Sequence, residues 1–147
     1  MNPSPAVMRR VAGLAPRRLR EFGDGTDAHP GSGTILFADI AGFTAMTEAA
    51  RRVHGARGIE ALTARLNAIF GEMVAAVHRY SGDVLKFGGD ALLVAFDRGN
   101  RALSESVRDA LACARALNAV IAHHRTRGQA RLRLHLGVAA GEWTEIV

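Results

Sequence analysis

The sequence predicts an α+β domain with a ferredoxin-like β-α-β-β-α-β core, an antiparallel sheet that carries its helices on one face. Three observations predict it. Residues 58–80 and 103–124 place apolar side chains at helical spacing. Short runs rich in strand formers surround these helices. Two of the runs, "DVLKF" and "ALLVAF", are separated only by Gly88, Gly89 and Asp90, a glycine-containing turn of the length that joins antiparallel strands.

Taken in order, residues 1–32 read as a flexible, basic N-terminal segment and linker, and residues 33–147 as the domain. Val7, Val11, Leu14 and Leu19 hint at a short helix interrupted by Pro16, and "GDGTDAHPGSG" reads as linker. The five arginines from Arg9 to Arg20 read as a solvated approach to the domain, with contact to an anionic partner as the competing reading. "GTILFADI" is a strand that ends at an acid, Asp39. "FTAMTEAARRV" turns to helical spacing, with Phe43, Met46 and Val53 on one side. A long amphipathic helix follows, built on Ile59, Leu62, Leu66, Ile69, Phe70, Met73, Val74 and Val77. After the hairpin, Val107, Leu111, Leu117, Val120 and Ile121 mark the next helix. "RLRLHLGVAAG" then returns to alternation, with Leu132, Leu134 and Leu136 on one face. Counting the two early helices as one crossover yields β-α-β-β-α-β.

Composition narrows the function classes. A chain of 147 residues suits one domain, and 48% hydrophobic with 22% charged residues is ordinary for a globular protein. The net charge of +5 comes from arginine, and the bias of arginine over lysine reads as genome composition. A nucleic-acid binder would interleave basic and aromatic residues, yet only 5% of residues are aromatic, so no specific nucleic-acid partner is expected. The single cysteine, Cys113, sits among apolar neighbours and reads as a buried thiol rather than a nucleophile. One cysteine, no apolar run of membrane-spanning length and no secretion signature point to a cytoplasmic protein.

In this topology the end of the first strand approaches the hairpin turn, which brings Asp39 and Asp90 together. Neighbouring carboxylates repel unless a cation lies between them, and hard oxygen donors suit Mg²⁺, with water and substrate phosphate completing its shell. Two such ions activate an attacking oxygen and neutralise phosphate charge. After Asp39, the small residues Ala41 and Gly42 let a backbone approach a ligand, and Phe43 and Thr44 open a helix whose free N–H groups suit an anion. Thr44 or Thr47 as a plain N-cap is the competing reading, and both can hold at once.

Lys86 is the only lysine among nineteen basic residues. Strand alternation puts Leu85 and Phe87 on one face and Lys86 on the other with Val84. An ammonium is a compact donor where guanidinium is a wide fork, so a narrow site such as a base-edge pocket distinguishes them. An incidental edge-strand lysine is the bland alternative.

"ILFADIAGFTAMTE" followed by "GDVLKFGGDALLVAF" resembles the catalytic domains of class III nucleotidyl (adenylate/guanylate) cyclases, most of all the soluble-adenylyl-cyclase-like branch. The resemblance covers roughly residues 33–141. It implies that Asp39 and Asp90 bind two Mg²⁺ (or Mn²⁺) ions, with the backbone carbonyl of Ile40 holding one of them. It implies that Ala41, Gly42, Phe43 and Thr44 cradle the triphosphate. Lys86 matches the lysine that recognises adenine in adenylyl cyclases, where guanylyl cyclases tend to carry an acid. The implied reaction is ATP to 3′,5′-cyclic AMP and pyrophosphate, with the ribose 3′-hydroxyl attacking the α-phosphorus.

Members of that family work as dimers of cyclase domains, with the metal aspartates from one domain and the base-recognising residues from its partner. The partner also gives an asparagine and an arginine, on one helix, that serve the transition state. No such pair stands in this chain: Asn67 is followed four residues later by Gly71, and Asn118 by Ala122. The expectation is therefore a domain truncated at its C-terminus, the metal-binding half of a dimeric site, inactive as a homodimer. The competing expectation is a catalytically silent regulatory module that pairs with another cyclase domain. In that case Lys86 serves a degenerate site for a regulator, which is bicarbonate in some members. A diguanylate cyclase of the GGDEF type fits less well, because such a site wants an acid where Ala91 stands.

Overall fold

The computed structural model describes residues 28–124 and 132–146. The expected N-terminal helix and the arginines from Arg9 to Arg20 lie outside the described residues. The elements are β1 (Ala28–Ala41), α1 (Phe43–Arg79), β2 (Asp83–Gly88), β3 (Ala91–Asp97), α2 (Leu103–His123) and β4 (Arg133–Ile146). The four strands form one antiparallel sheet in the order β2-β3-β1-β4. This is the α+β, β-α-β-β-α-β arrangement read from the sequence.

Alternation along β1 separates two faces. Thr34, Leu36, Ala38 and Ile40 are buried toward the helices, while Ile35, Phe37 and Asp39 point the other way. The core joins these β1 residues to Leu92, Val94 and Phe96 of β3, to Leu62, Ile69, Met73 and Val77 of α1, and to Cys113, Leu117 and Ile121 of α2. Leu132 is buried and Leu134 and Leu136 pack against the same core, as their shared face predicted. A buried hydroxyl pair, Thr34 Oγ1 and Ser106 Oγ at 2.9 Å, fixes α2 over β1, and Ser106 also donates to the Leu103 carbonyl. Burial pushes the Cys113 thiol up to about 11, which keeps it protonated and inert, as its apolar setting suggested.

Three details depart from the sequence reading. First, β1 begins at Ala28, inside the stretch that reads as linker. Gly31 pairs with Trp143, whose indole occupies the space that a Cβ at Gly31 would need. Glycine here admits an aromatic cover rather than a flexible joint. Pro30 is tolerated because Ala28–Gly31 pair only with β4, leaving that edge of the strand open. Second, α1 breaks at Gly55 (φ 58°, ψ −137°). Met46 is buried, but Val53, in the turn before the break, is 68% exposed rather than part of the apolar side. Third, α2 buries Ser106, Ala110, Cys113, Ala114, Leu117 and Ile121, whereas Leu111 is exposed. Small residues on this stripe let the helix lie close to the sheet.

Candidate active site

Register defines the site. β2 and β3 are joined by a two-residue loop, Gly89–Asp90, with Gly89 at φ 67°. A left-handed glycine at the first loop position is what a type II′ hairpin turn uses. The backbone N–H of Ile40 donates to the carbonyl of Asp90 at 3.1 Å, and Asp39 pairs with Ala91. The end of β1 is thereby tied to the hairpin loop, and Asp39 and Asp90 come to one corner of the sheet, as the sequence reading required.

Around that corner the donors are few. Asp39 is 34% exposed, and among the described residues no arginine or lysine pairs with it or with Asp90. No group of three or more His, Cys, Asp or Glu poised to hold a metal occurs among the described residues. The set that the resemblance implies, two carboxylates and a backbone carbonyl, would leave most of a shell to water and phosphate. This donor chemistry fits Mg²⁺, and does not fit Zn²⁺, which favours closed nitrogen and sulfur sets.

The turn after Asp39 is formed for close approach. Gly42 adopts φ 97°, ψ 0° as the N-cap of α1, no side chain caps the helix start, and no acid stands in its first turn. The helix therefore opens at Phe43, and neither Thr44 nor Thr47 is its N-cap, which corrects that reading. A helix start whose N-cap residue has no capping side chain suits an anion. Ala41 closes β1 directly before it. Behind the corner, on the helix side, Ile40, Gly89, Asp90, Thr63, Leu66, Asn67 and Phe70 line a cavity of about 240 Å³.

Lys86 is exposed on the open face, opposite Leu93, which in turn pairs with Phe37. Its expected company was Val84, yet Val84 is buried on the helix side opposite Val94. A register shift between Val84 and Lys86 is the reason: a bulge at Leu85 turns the strand over. Phe87 returns to the helix side and meets Phe70 edge-on, with ring centroids 6.1 Å apart. The bulge thus puts Lys86 on the same face as Asp39.

Sequence reasoning missed one residue at this corner. His135 pairs across β4 with Asp39, and its Nδ1 lies 3.8 Å from Asp39 Oδ2. Alternation with Leu134 and Leu136 already turned it away from the helices. Only the β1–β4 register shows that it meets Asp39 rather than Phe37.

A four-stranded antiparallel sheet with one aspartate at a strand end and another in the adjoining hairpin loop, followed by a helix start without a side-chain cap, fits the frame of a nucleotidyl cyclase domain. Residues 28–146 match the family model of the adenylate and guanylate cyclase catalytic domain, and the chain belongs to that family. It is similar to adenylate cyclase type 10 of rabbit (Oryctolagus cuniculus), 31% identical over 147 residues, which covers 97% of this chain and 9% of that protein. Among solved structures, the adenylyl cyclase CyaB from P. aeruginosa superposes with a TM-score of 0.65 at 26% identity, covering 81% of this chain and 60% of that one. The guanylyl cyclase Cya2 superposes at 0.62, also at 26% identity, covering 82% and 58%. The chain spans under a tenth of the curated relative and about three-fifths of the solved domains. Among the described residues no helix is long and apolar enough to cross a membrane.

Proposed function

We propose that this chain supplies the metal-binding half of an adenylyl cyclase site, which converts ATP to 3′,5′-cyclic AMP and pyrophosphate in the cytoplasm. The observation that carries the reading is the corner itself: the Ile40 N–H to Asp90 C=O bond of 3.1 Å, which holds the two aspartates together beside an uncapped helix start. Asp39, Asp90 and the Ile40 carbonyl would hold two Mg²⁺ ions, which supply charge neutralisation at the phosphates and activation of the ribose 3′-hydroxyl. Ala41, Gly42, Phe43 and Thr44 wrap the triphosphate, with the helix N–H groups facing its oxygens. Lys86, exposed on the open face, presents a single-point donor to an adenine edge. The likeness to an adenylyl cyclase and a guanylyl cyclase at equal identity leaves the base choice to that residue.

No Asn four residues ahead of an Arg stands among the 147 residues, and in the dimeric site that the resemblance implies such donors reach the metal aspartates from the other cyclase domain. The 147-residue chain by itself is expected to form no cyclic AMP, and to do so when mixed with a domain that carries those donors. A silent pairing module is the second reading, favoured by the exposed Phe37 at the centre of the open face, which a partner domain would cover. Calorimetric titration of Mg·ATP separates the two. The parent chain should bind in a metal-dependent way, and Asp39→Ala and Asp90→Ala should each lose that binding. Equal binding by all three proteins would sink the two-metal reading.

A further inference from the structure

His135 has no part in the function so far proposed, yet it is the side chain that comes to Asp39 from the neighbouring strand. The two residues are cross-strand partners, their nitrogen and oxygen are 3.8 Å apart, and no other basic side chain among the described residues pairs with Asp39. The imidazole is 71% exposed, so burial of its ring is not what holds it there. Its neighbour Gly137 has no side chain to crowd it, and a Cβ there would only just touch Phe37. Asp39 is about one-third exposed, and its carboxylate has no other ion-pair partner among the described residues.

We propose that His135 is a positioning residue for Asp39. Its ring N–H takes one carboxylate oxygen from the β4 side and leaves the other to face the corner shared with Asp90. This rests on Asp39 being a metal ligand. Donor chemistry argues against the imidazole as a ligand itself: Mg²⁺ takes carboxylate, carbonyl and water oxygens rather than imidazole nitrogen. A small rotation of either side chain instead closes the gap to a charge-assisted hydrogen bond. Histidine also differs here from lysine or arginine. Its short, stiff ring restrains the carboxylate with a single donor and does not reach past it to the ion. Partners that orient a ligand carboxylate in this way are worth about 10–100-fold in metal affinity.

The experiment uses Mn²⁺ alone, without nucleotide, because the free ion is counted directly by electron paramagnetic resonance. The full 147-residue chain is titrated alongside Asp39→Ala, His135→Ala, His135→Gln and the Asp39→Ala/His135→Ala double variant. Thermal melts of all five show that they are folded. Asp39→Ala should abolish binding at the tighter site. His135→Ala should weaken it by about 10–100-fold, and His135→Gln, which keeps an N–H donor, should stay within about threefold of the parent. The double variant should be no worse than Asp39→Ala. If His135→Ala binds Mn²⁺ like the parent while Asp39→Ala does not, the positioning role is wrong and the metal site stands. Equal losses in the Ala and Gln variants make the ring a direct ligand and overturn the role in another way. A change seen only with Mg·ATP makes His135 a phosphate contact and also overturns it. Parent-like binding by Asp39→Ala removes the metal reading and this inference together.

Discussion

The two faces of this sheet are cut from the same strands and do opposite work. On β1, Leu36 and Ala38 have no solvent exposure, while their neighbour Phe37 is 45% exposed. Among the described residues, the buried polar side chains of the helix-covered face are Thr34 and Ser106, and they are hydrogen bonded to each other. The open face carries Asp39, Lys86 and His135 around Phe37 and Leu93. One face stabilises the fold, and the other carries the residues proposed to recognise ligands. A substitution should therefore change stability or binding according to the parity of its position, and each prediction below tests that division.

The largest effect is expected on the covered face. Phe96 is 1% exposed, and a Cβ at Gly82 would already stand 2.9 Å from its ring, so no slack surrounds it. Phe96→Ala should cost about 3–5 kcal/mol, a large share of the ~5–15 kcal/mol of a typical domain. The shift of the urea midpoint measures it. A cost below ~1 kcal/mol would show that the core lies elsewhere. The next effect belongs to the open face and moves a different quantity. Asp39→Ala should weaken metal-dependent nucleotide binding by about hundredfold or more and leave the urea midpoint within ~0.5 kcal/mol of the parent. A large loss of stability in this variant would break the division between faces.

How much of this was legible in the sequence follows the same division. The meeting of Asp39 and Asp90 at one corner could be read because a strand end and a two-glycine turn are local signals that the chain order alone brings together. The core of α1 could be read because eight apolar residues repeat at helical spacing over residues 59–77. What failed depended on pairing. A bulge at Leu85 parted Val84 from Lys86, and period-2 reasoning has no means to see an inserted residue. The start of β1 looked like linker because Gly31 and Pro30 are turn formers until Trp143 is known to lie across from them. His135 was hidden for the same reason: its face was readable, but a register shift of two residues would have set it against Phe37.

Smaller effects test how the site is held in place. Gly42 has φ 97°, where an added Cβ is strained, so Gly42→Ala should cost about 1–2 kcal/mol. Because the strain falls at the start of α1, triphosphate affinity should drop as well, whereas the same exchange at Gly71, inside the helix with open space around it, should not lower either quantity. On the covered face, alkali offers a test without substitution. The Cys113 thiol is raised from 9.0 to about 11 by burial, so the folded chain holds its proton more tightly than the unfolded one. The stability this contributes is complete below pH 9 and is lost as pH rises through about 11. Cys113→Ala should flatten that loss, and thiol labelling of the folded parent should be slow until the same pH range.

The sharpest use of the comparison comes from adjacent residues. Leu36→Ala removes a fully buried side chain and should cost about 2–5 kcal/mol. Phe37→Ala removes a larger side chain, yet nearly half of it is exposed, and its cost should stay near ~1 kcal/mol. Size alone predicts the reverse order, so the pair separates packing from bulk. If the open face is where a second cyclase domain sits, Phe37→Ala should also weaken pairing. It would raise the protein concentration at which assembly appears in sedimentation velocity, while Leu36→Ala, assayed where it remains folded, would not. Should Phe37→Ala instead unfold the chain and leave pairing untouched, Phe37 belongs to the core after all, and the open face would have to be redrawn around Lys86 and His135 alone.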